Sequence, residues 1–335
     1  MRVINTFNRF VVAFATLCAS AAGSQTYTVQ SITAPAFGTV AAAASGATAF
    51  ELNESTGAVT VTSGSGGRVG GTTARATVTI RCADGSGAPR RCNNSSNKAL
   101  IKVGASGSPT GRAQALSAFD AVSGTGTVSA ESGPAGDGSM TFQLSGWSAA
   151  GNRTFYLGMR MPIKGDNQGG ATGLARSGFY VRAALNPTTP TNGSTANATA
   201  TVRRALTVSK ISDLAFGAVA RPASGSGTVT IDPASGTRTA GGASPPILVS
   251  GPAFGRAAFT ITGESGTAFT ISGPSSFDMT NGASTITVTL SATAFGAQTL
   301  TGGSLVLGAG GTMTVASTTP TGAYTGTFVS TVAYN

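Results

Sequence analysis

Histidine is absent from this 335-residue chain. With it goes the side chain that most often serves as general base, pH switch or neutral metal ligand. Charge is scarce as well, at 10% of residues, and only 11 of those charges are acidic. The carboxylates are scattered. Glu51 and Glu54 are the closest pair, in a turn-like stretch before Gly57, and no second pair supports the controlled separation a glycosidase needs. There is no Gly-x-Ser-x-Gly elbow and no Gly-Lys-Ser/Thr phosphate loop. Asp166-Asn167 in a Gly-rich loop offers too few oxygens for a calcium site. These absences argue against an enzyme and leave no catalytic, cofactor or metal residue to name.

Helical signals are lacking too. No long segment repeats Leu, Glu and Lys at period 3.6, and apart from the N-terminus no apolar run approaches the roughly 20 residues of a membrane span. What is there instead is Gly (48 residues) with abundant Ala, Ser and Thr, at a mean hydropathy that is still positive. Disordered chains are poor in apolar residues; short strands joined by Gly-rich turns fit this composition. Ala76-Thr77-Val78-Thr79-Ile80 and Thr285-Ile286-Thr287-Val288-Thr289-Leu290 alternate as strands with one buried face do.

The N-terminus reads as an export signal over residues 1–21. Arg2 and Arg9 precede a short apolar run from Val11, and Ala19-Ser20-Ala21 has the small-x-small form of a cleavage site. A lipoprotein reading through Cys18 suffers from the bulky Leu17 before it. Two cysteines remain, Cys82 and Cys92, and an even pair in an exported chain implies a disulfide closing a turn-rich loop. A metal site fits poorly, because two thiolates without histidine are an incomplete set.

The chain contains an internal repeat. Residues 26–41 (TYTVQSITAPAFGTVA) and 205–220 (ALTVSKISDLAFGAVA) match without gaps at 8 of 16 positions, including Val29/Val208, Ile32/Ile211 and Phe37-Gly38/Phe216-Gly217. A later anchor pairs the segment around Phe179 with that around Phe328. Between the copies, Asn186 to Ala200 has the Pro, Thr and Asn content of a linker. The expected architecture is all-β, with two immunoglobulin-like sandwiches in tandem: residues 24–186, a linker at 187–200, and residues 201–335. Formal charge is +10 overall and +8 without Arg2 and Arg9, with +6 of it in residues 24–190. That excess admits contact with an acidic surface polysaccharide, or only a solvated basic surface. The charges are too dispersed for nucleic acid. In the first domain Trp147, Phe155, Tyr156, Arg90 and Arg91 are the candidates for surface binding, with a core or solvated role as the plainer alternative.

The last residues alternate: Tyr324, Gly326, Phe328, Ser330, Val332 and Tyr334 share one face of an expected final strand. Tyr334 is penultimate and Gly322 is fourteenth from the end. This ending resembles that of pilus subunits exported by the chaperone–usher route. Pro320-Thr321-Gly322-Ala323-Tyr324-Thr325-Gly326-Thr327-Phe328 resembles the ending of spore-coat-U-like fimbrial domains. It is closer to a related secreted bacterial domain family of unknown function, which also has an early Phe-Gly-x-Val, here Phe216-Gly217-Ala218-Val219. The resemblance covers residues 205–335 and reaches 26–185 only through the repeat. It implies a sandwich lacking one strand, completed by a neighbour through β-strand addition. Gly322, Tyr324, Phe328, Val332 and Tyr334 would form the assembly strand. A periplasmic chaperone, an usher and a neighbouring pilus subunit would be the partners. A two-domain subunit of this kind would be a fimbrial or fimbria-like surface protein, with the tip adhesin role as its specific form. It would pass through the periplasm to the cell surface. The competing expectation is a secreted carbohydrate- or matrix-binding protein whose two sandwiches are each complete.

Overall fold

A computed structural model describes residues 24–86 and 91–335. The expected signal segment at 1–21 and Arg90 lie outside the described residues. The described chain is all-β, without an α-helix, and none of its helical turns is long and apolar enough to cross a membrane.

In chain order the first sandwich contains β1 (Thr26–Ile32), β2 (Ala36–Ala41), β3 (Thr48–Leu52), β4 (Val59–Ser63), β5 (Gly67–Gly70), β6 (Ala76–Ala83), β7 (Ala99–Thr110), β8 (Ser117–Ser123), β9 (Thr127–Ser132), β10 (Met140–Ser145), β11 (Gly151–Ile163), β12 (Gly173–Leu185) and β13 (Gly193–Arg203). One sheet runs β1-β6-β11-β3-β4, with β8 also on β11; the other runs β5-β2-β13-β12-β7-β10-β9. Strand β6 shows why these residues choose strands. Ala76, Val78, Ile80 and Cys82 all point inward and are fully buried, while Thr77 and Thr79 face out. Burying each Val or Ile contributes about 1.5–3 kcal/mol, so a one-residue slip of register would forfeit the whole face. Phe37, Phe50, Phe142, Phe155 and Phe179 fill one continuous core between the sheets.

The second half contains β14 (Thr207–Ser212), β15 (Val219–Ala220), β16 (Ser226–Ile231), β17 (Arg238–Gly241), β18 (Ile247–Leu248), β19 (Ala257–Thr262), β20 (Ala268–Ser272), β21 (Ser276–Asn281), β22 (Ser284–Ala292), β23 (Gly296–Thr299), β24 (Ser304–Ala316) and β25 (Thr331–Tyr334). Its main sheet runs β14-β19-β24-β16-β17, the same order as β1-β6-β11-β3-β4 of the first half. The repeat read in the sequence is therefore a repeat of topology. The opposite layer is in two pieces, β15-β18 and β23-β20-β25. The core is likewise split into two small clusters, one around Phe216, Val229 and Met313 and the other around Ile261, Phe269 and Leu307.

Two expectations need correction. Residues 193–203 are not linker but β13, which pairs antiparallel with β12 and parallel with β2. Ala196, Ala198, Ala200 and Val202 turn inward and pack on the core. Alanine and asparagine are weak strand formers, so this strand is specified by its two neighbours more than by its own residues. The final strand is also shorter than its alternation suggests. Only Thr331–Tyr334 forms a ladder, on β20, because β20 stops at Ser272 and leaves most of 324–330 without a neighbour.

Candidate functional site

The main sheets of the two halves share one strand order, and most strands of the opposite layer correspond as well. β2 and β5 correspond to β15 and β18, and β12, β7 and β10 to β25, β20 and β23. Strand β13 alone joins the two groups in the first half. Among the described residues no strand does so in the second. A cavity of about 890 Å³ opens there, between residues 214–221 and 319–324. Its walls are largely apolar: Leu214, Phe216, Val219, Met279, Ile286, Met313, Val315 and Tyr324.

The repeat supplies an internal control for this gap. Val29 and Ile32 of β1 are half-buried against the first core, under β12 and β13. Their counterparts on β14, Val208 and Ile211, are 45% and 60% exposed. Phe37 and Val40 are fully buried, whereas Phe216 lies on the cavity wall and Val219 is half-buried. Val208, Ile211 and Val219 thus lose cover on the side where β13 would lie, while Phe216 stays buried at 7%.

Of the residues expected to form the assembly strand, Gly322 and Tyr324 line this cavity, while Phe328, Val332 and Tyr334 lie beyond it along the chain. Gly322 has φ +144°, and a Cβ there would collide with the Asn281 side-chain amide, which donates to Thr321 O (3.2 Å). Glycine is thus required on two counts. Tyr324 packs on the Phe216 cluster, and its hydroxyl donates to Pro320 O (3.0 Å). Thr325 exchanges two backbone hydrogen bonds with Thr280, which holds this stretch against β21. Phe328 sits between Phe259 and Phe277, with ring centroids 6.3 and 5.3 Å away. Val332 and Tyr334 lie directly opposite Ile271 and Phe269.

Tyr334 also reaches the junction with the first sandwich. Its hydroxyl accepts from Glu264 N (2.7 Å) and donates to Arg204 O (3.0 Å). Burial, the largest cause, raises its pKa. Glu264 accepts from Arg204 N (3.0 Å) and from the Thr172 hydroxyl (2.9 Å). Asp166 accepts from Ala205 N (3.0 Å) and is paired with buried Arg112. Its neighbour Asn167 accepts from Gly46 N (3.0 Å). Asp166, Glu264 and Tyr334 thus make the contacts of the junction, while Asn167 bonds within the first sandwich, and among the described residues no group of three metal-ligating side chains occurs.

The first-domain candidates disperse. Trp147 is core, 5.0 Å from the Tyr27 ring, with its indole N–H donating to Gly151 O (2.9 Å). Phe155 is fully buried in edge contact with Phe142. Neither is available to a ligand, because a sandwich of this size needs large aromatics to fill its interior. The Tyr156 ring is capped by the Arg75 guanidinium at 3.4 Å. Arg91 is exposed. Cys82 and Cys92 form the disulfide, and both are buried within the core rather than at a surface loop.

The groove-lining residues outside the last strand, notably Met279, Ile286 and Met313, escape a reading of motifs.

Residues 206–334, the second sandwich alone, match the model of a family described as "Domain of unknown function (DUF4402)". No curated protein matches the chain significantly. Two solved structures are similar at a low level. One is a chaperone–tip adhesion subunit pre-assembly complex, CsuC–CsuE, from archaic chaperone-usher Csu pili of Acinetobacter baumannii. It has 9% identity and TM-score 0.25, over 90% of this chain and 100% of that one. The other is a chaperone–tip adhesin complex of CFA/I fimbriae biogenesis. It has 12% identity and TM-score 0.22, over 71% and 91% of the two chains. At such TM-scores neither carries an argument about this chain.

Proposed function

We propose that this protein is a non-enzymatic, exported fimbrial or fimbria-like surface subunit whose second sandwich accepts a β-strand from a partner. The observation behind this is the open groove at the place where β13 completes the first sandwich. A strand entering it would run as β13 does, parallel to β15 and antiparallel to the last segment, with alternate side chains in the groove. The partner that supplies it is an extended segment of a neighbouring subunit, or of a periplasmic chaperone before assembly at an usher. Gly322, Tyr324, Phe328, Val332 and Tyr334 form the border strand that receives it. The first sandwich, complete in itself, is the binding module, as in a tip adhesin. A secreted protein with two complete sandwiches is the weaker reading, since the second layer of the second sandwich is in two pieces.

The groove also constrains the donor. β13 fills its place with small side chains because Phe119 and Phe179 already occupy the interior beneath the sheet. The counterpart of Phe179, Phe328, is engaged by Phe259 and Phe277 instead. A donor for the second domain therefore needs bulkier apolar residues at alternate positions.

The test is to append to residue 335 a flexible linker and a copy of Gly193–Arg203. In a second version, Val replaces the Ala at the copied positions 196, 198 and 200. The reading expects both to raise the melting temperature of the second domain, the valine version more. Unchanged melting with both would count against it.

A further inference from the structure

The outer face of the β7–β12–β13 sheet carries a cationic platform that the sequence does not advertise. On β12, Arg176, Tyr180 and Arg182 all point outward, since the intervening Ser177, Phe179, Val181 and Ala183 are buried. Lys102 of β7 lies directly opposite Arg182, and Gly104 directly opposite Tyr180. Like charges placed opposite one another across a sheet are unfavourable. Glycine at 104 is needed here, because a Cβ would come within 2.5–2.9 Å of the Tyr180 ring and hydroxyl. The ring therefore lies across β7, and the Arg182 guanidinium stacks on it at 4.4 Å. Stacking leaves the edge N–H groups of a guanidinium free to bind an oxyanion.

Little neutralises this charge. Lys102 pairs with Asp137 (3.0 Å), which is itself 55% exposed. Among the described residues neither Arg176 nor Arg182 has a carboxylate partner, and residues 1–23 and 87–90 contain no Asp or Glu. Thr195, Asn197 and Thr199 of β13 flank the row, directly opposite Tyr180, Gly178 and Arg176. They add hydroxyl and amide groups suited to sugar hydroxyls. Arg176 and Arg182 are six residues apart along one strand, about 20 Å.

The geometry points to this face as a binding surface for an acidic polysaccharide. Arg182 and Arg176 take carboxylate or sulfate groups several sugars apart on one polysaccharide chain, and Tyr180 holds Arg182 in place. The inference rests on reading the first sandwich as the binding module and is independent of the groove; a chain whose groove stays empty would still bind.

The full chain would be run in affinity electrophoresis against polygalacturonate, heparin and neutral dextran, at low and high salt. Three proteins are compared: wild type, Arg176→Gln with Arg182→Gln, and Arg81→Gln with Arg204→Gln. The last pair removes equal charge from exposed arginines elsewhere. Retardation by one or both polyanions and not by dextran is expected, lost at high salt. The first double variant should bind about tenfold more weakly, the second almost as wild type, with unchanged melting in both. Retention by polygalacturonate alone assigns carboxylate, and by heparin alone sulfate. Equal losses in the two double variants would overturn the inference in favour of unspecific net charge. Absence of retardation in the wild type would overturn it outright.

Discussion

Val29 and Val208 occupy the same position of a repeated strand, yet Val29 is half-buried against its core and Val208 is 45% exposed. Their hydrogen-bonding partners also correspond. Val29 lies opposite Ile80 on β6, and Val208 opposite Ile261 on β19. Both Ile80 and Ile261 are fully buried. The difference thus arises from the facing layer, where β13 covers the first copy and, among the described residues, no equivalent strand covers the second.

The same asymmetry should appear in a matched pair of truncations. Phe37→Ala empties a fully enclosed site and is expected to cost about 3–5 kcal/mol. Phe216→Ala removes a side chain that already borders a cavity, so the cost in the unaccompanied chain should be about 1–2 kcal/mol. Denaturant melts of the two variants measure this. Equal losses would mean that Phe216 is as well packed as Phe37.

Gly322→Ala forces a side chain into a left-handed conformation and against Asn281. A loss of about 1–3 kcal/mol is expected in the second domain, with the first domain unaffected. Separate unfolding transitions, followed by Trp147 fluorescence for the first domain and by far-ultraviolet dichroism for the whole, would show it.

Tyr27 is buried at the start of β1; its hydroxyl accepts from the Gln25 amide and donates to Asn97 O (3.1 Å). Burial pushes its pKa up to about 12. The unfolded chain ionises near the ordinary value of about 10, so the unfolded state loses its proton first. The stability tied to this group is complete below pH 10 and declines as pH rises toward about 12. Tyr27→Phe should flatten that part of the pH–stability curve relative to wild type. Parallel curves for the two proteins would contradict the assignment.

Breaking the disulfide with Cys82→Ala and Cys92→Ala should lower stability by about 2–3 kcal/mol through the freed loop. Packing adds to this, since both sulfurs are buried. Thermal melts would localise the loss to the first domain.

Much of this architecture was legible in the sequence because it is written in residue types that state their side. Val78 and Ile80 against Thr77 and Thr79 define a strand and its buried face. The Phe-Gly-x-Val repeat marks the start of each copy. Strand β13 was not legible. Its inward positions are alanines, indistinguishable in a Thr- and Asn-rich stretch from a linker, and its stability comes from β2 and β12. Trp147 was ambiguous for the opposite reason: a large aromatic states burial or binding equally, and only packing against Tyr27 decides it. The groove follows from comparing the copies, not from any one residue. Tyr180 and Arg182 gain meaning only when Gly104 and Lys102 are placed beside them by strand pairing.

The central claim is that the second sandwich has an open strand position. Hydrogen exchange of backbone amides tests it most directly, on the full chain and on the chain extended with a linked copy of Gly193–Arg203. Fast exchange is expected at 216–218 and 326–330 in the unextended chain, against slow exchange at the corresponding parts of β2 and β12. Protection should appear at both segments on extension, with the first sandwich unchanged. Slow exchange at 216–218 and 326–330 before any strand is added, or no gain afterwards, would contradict it.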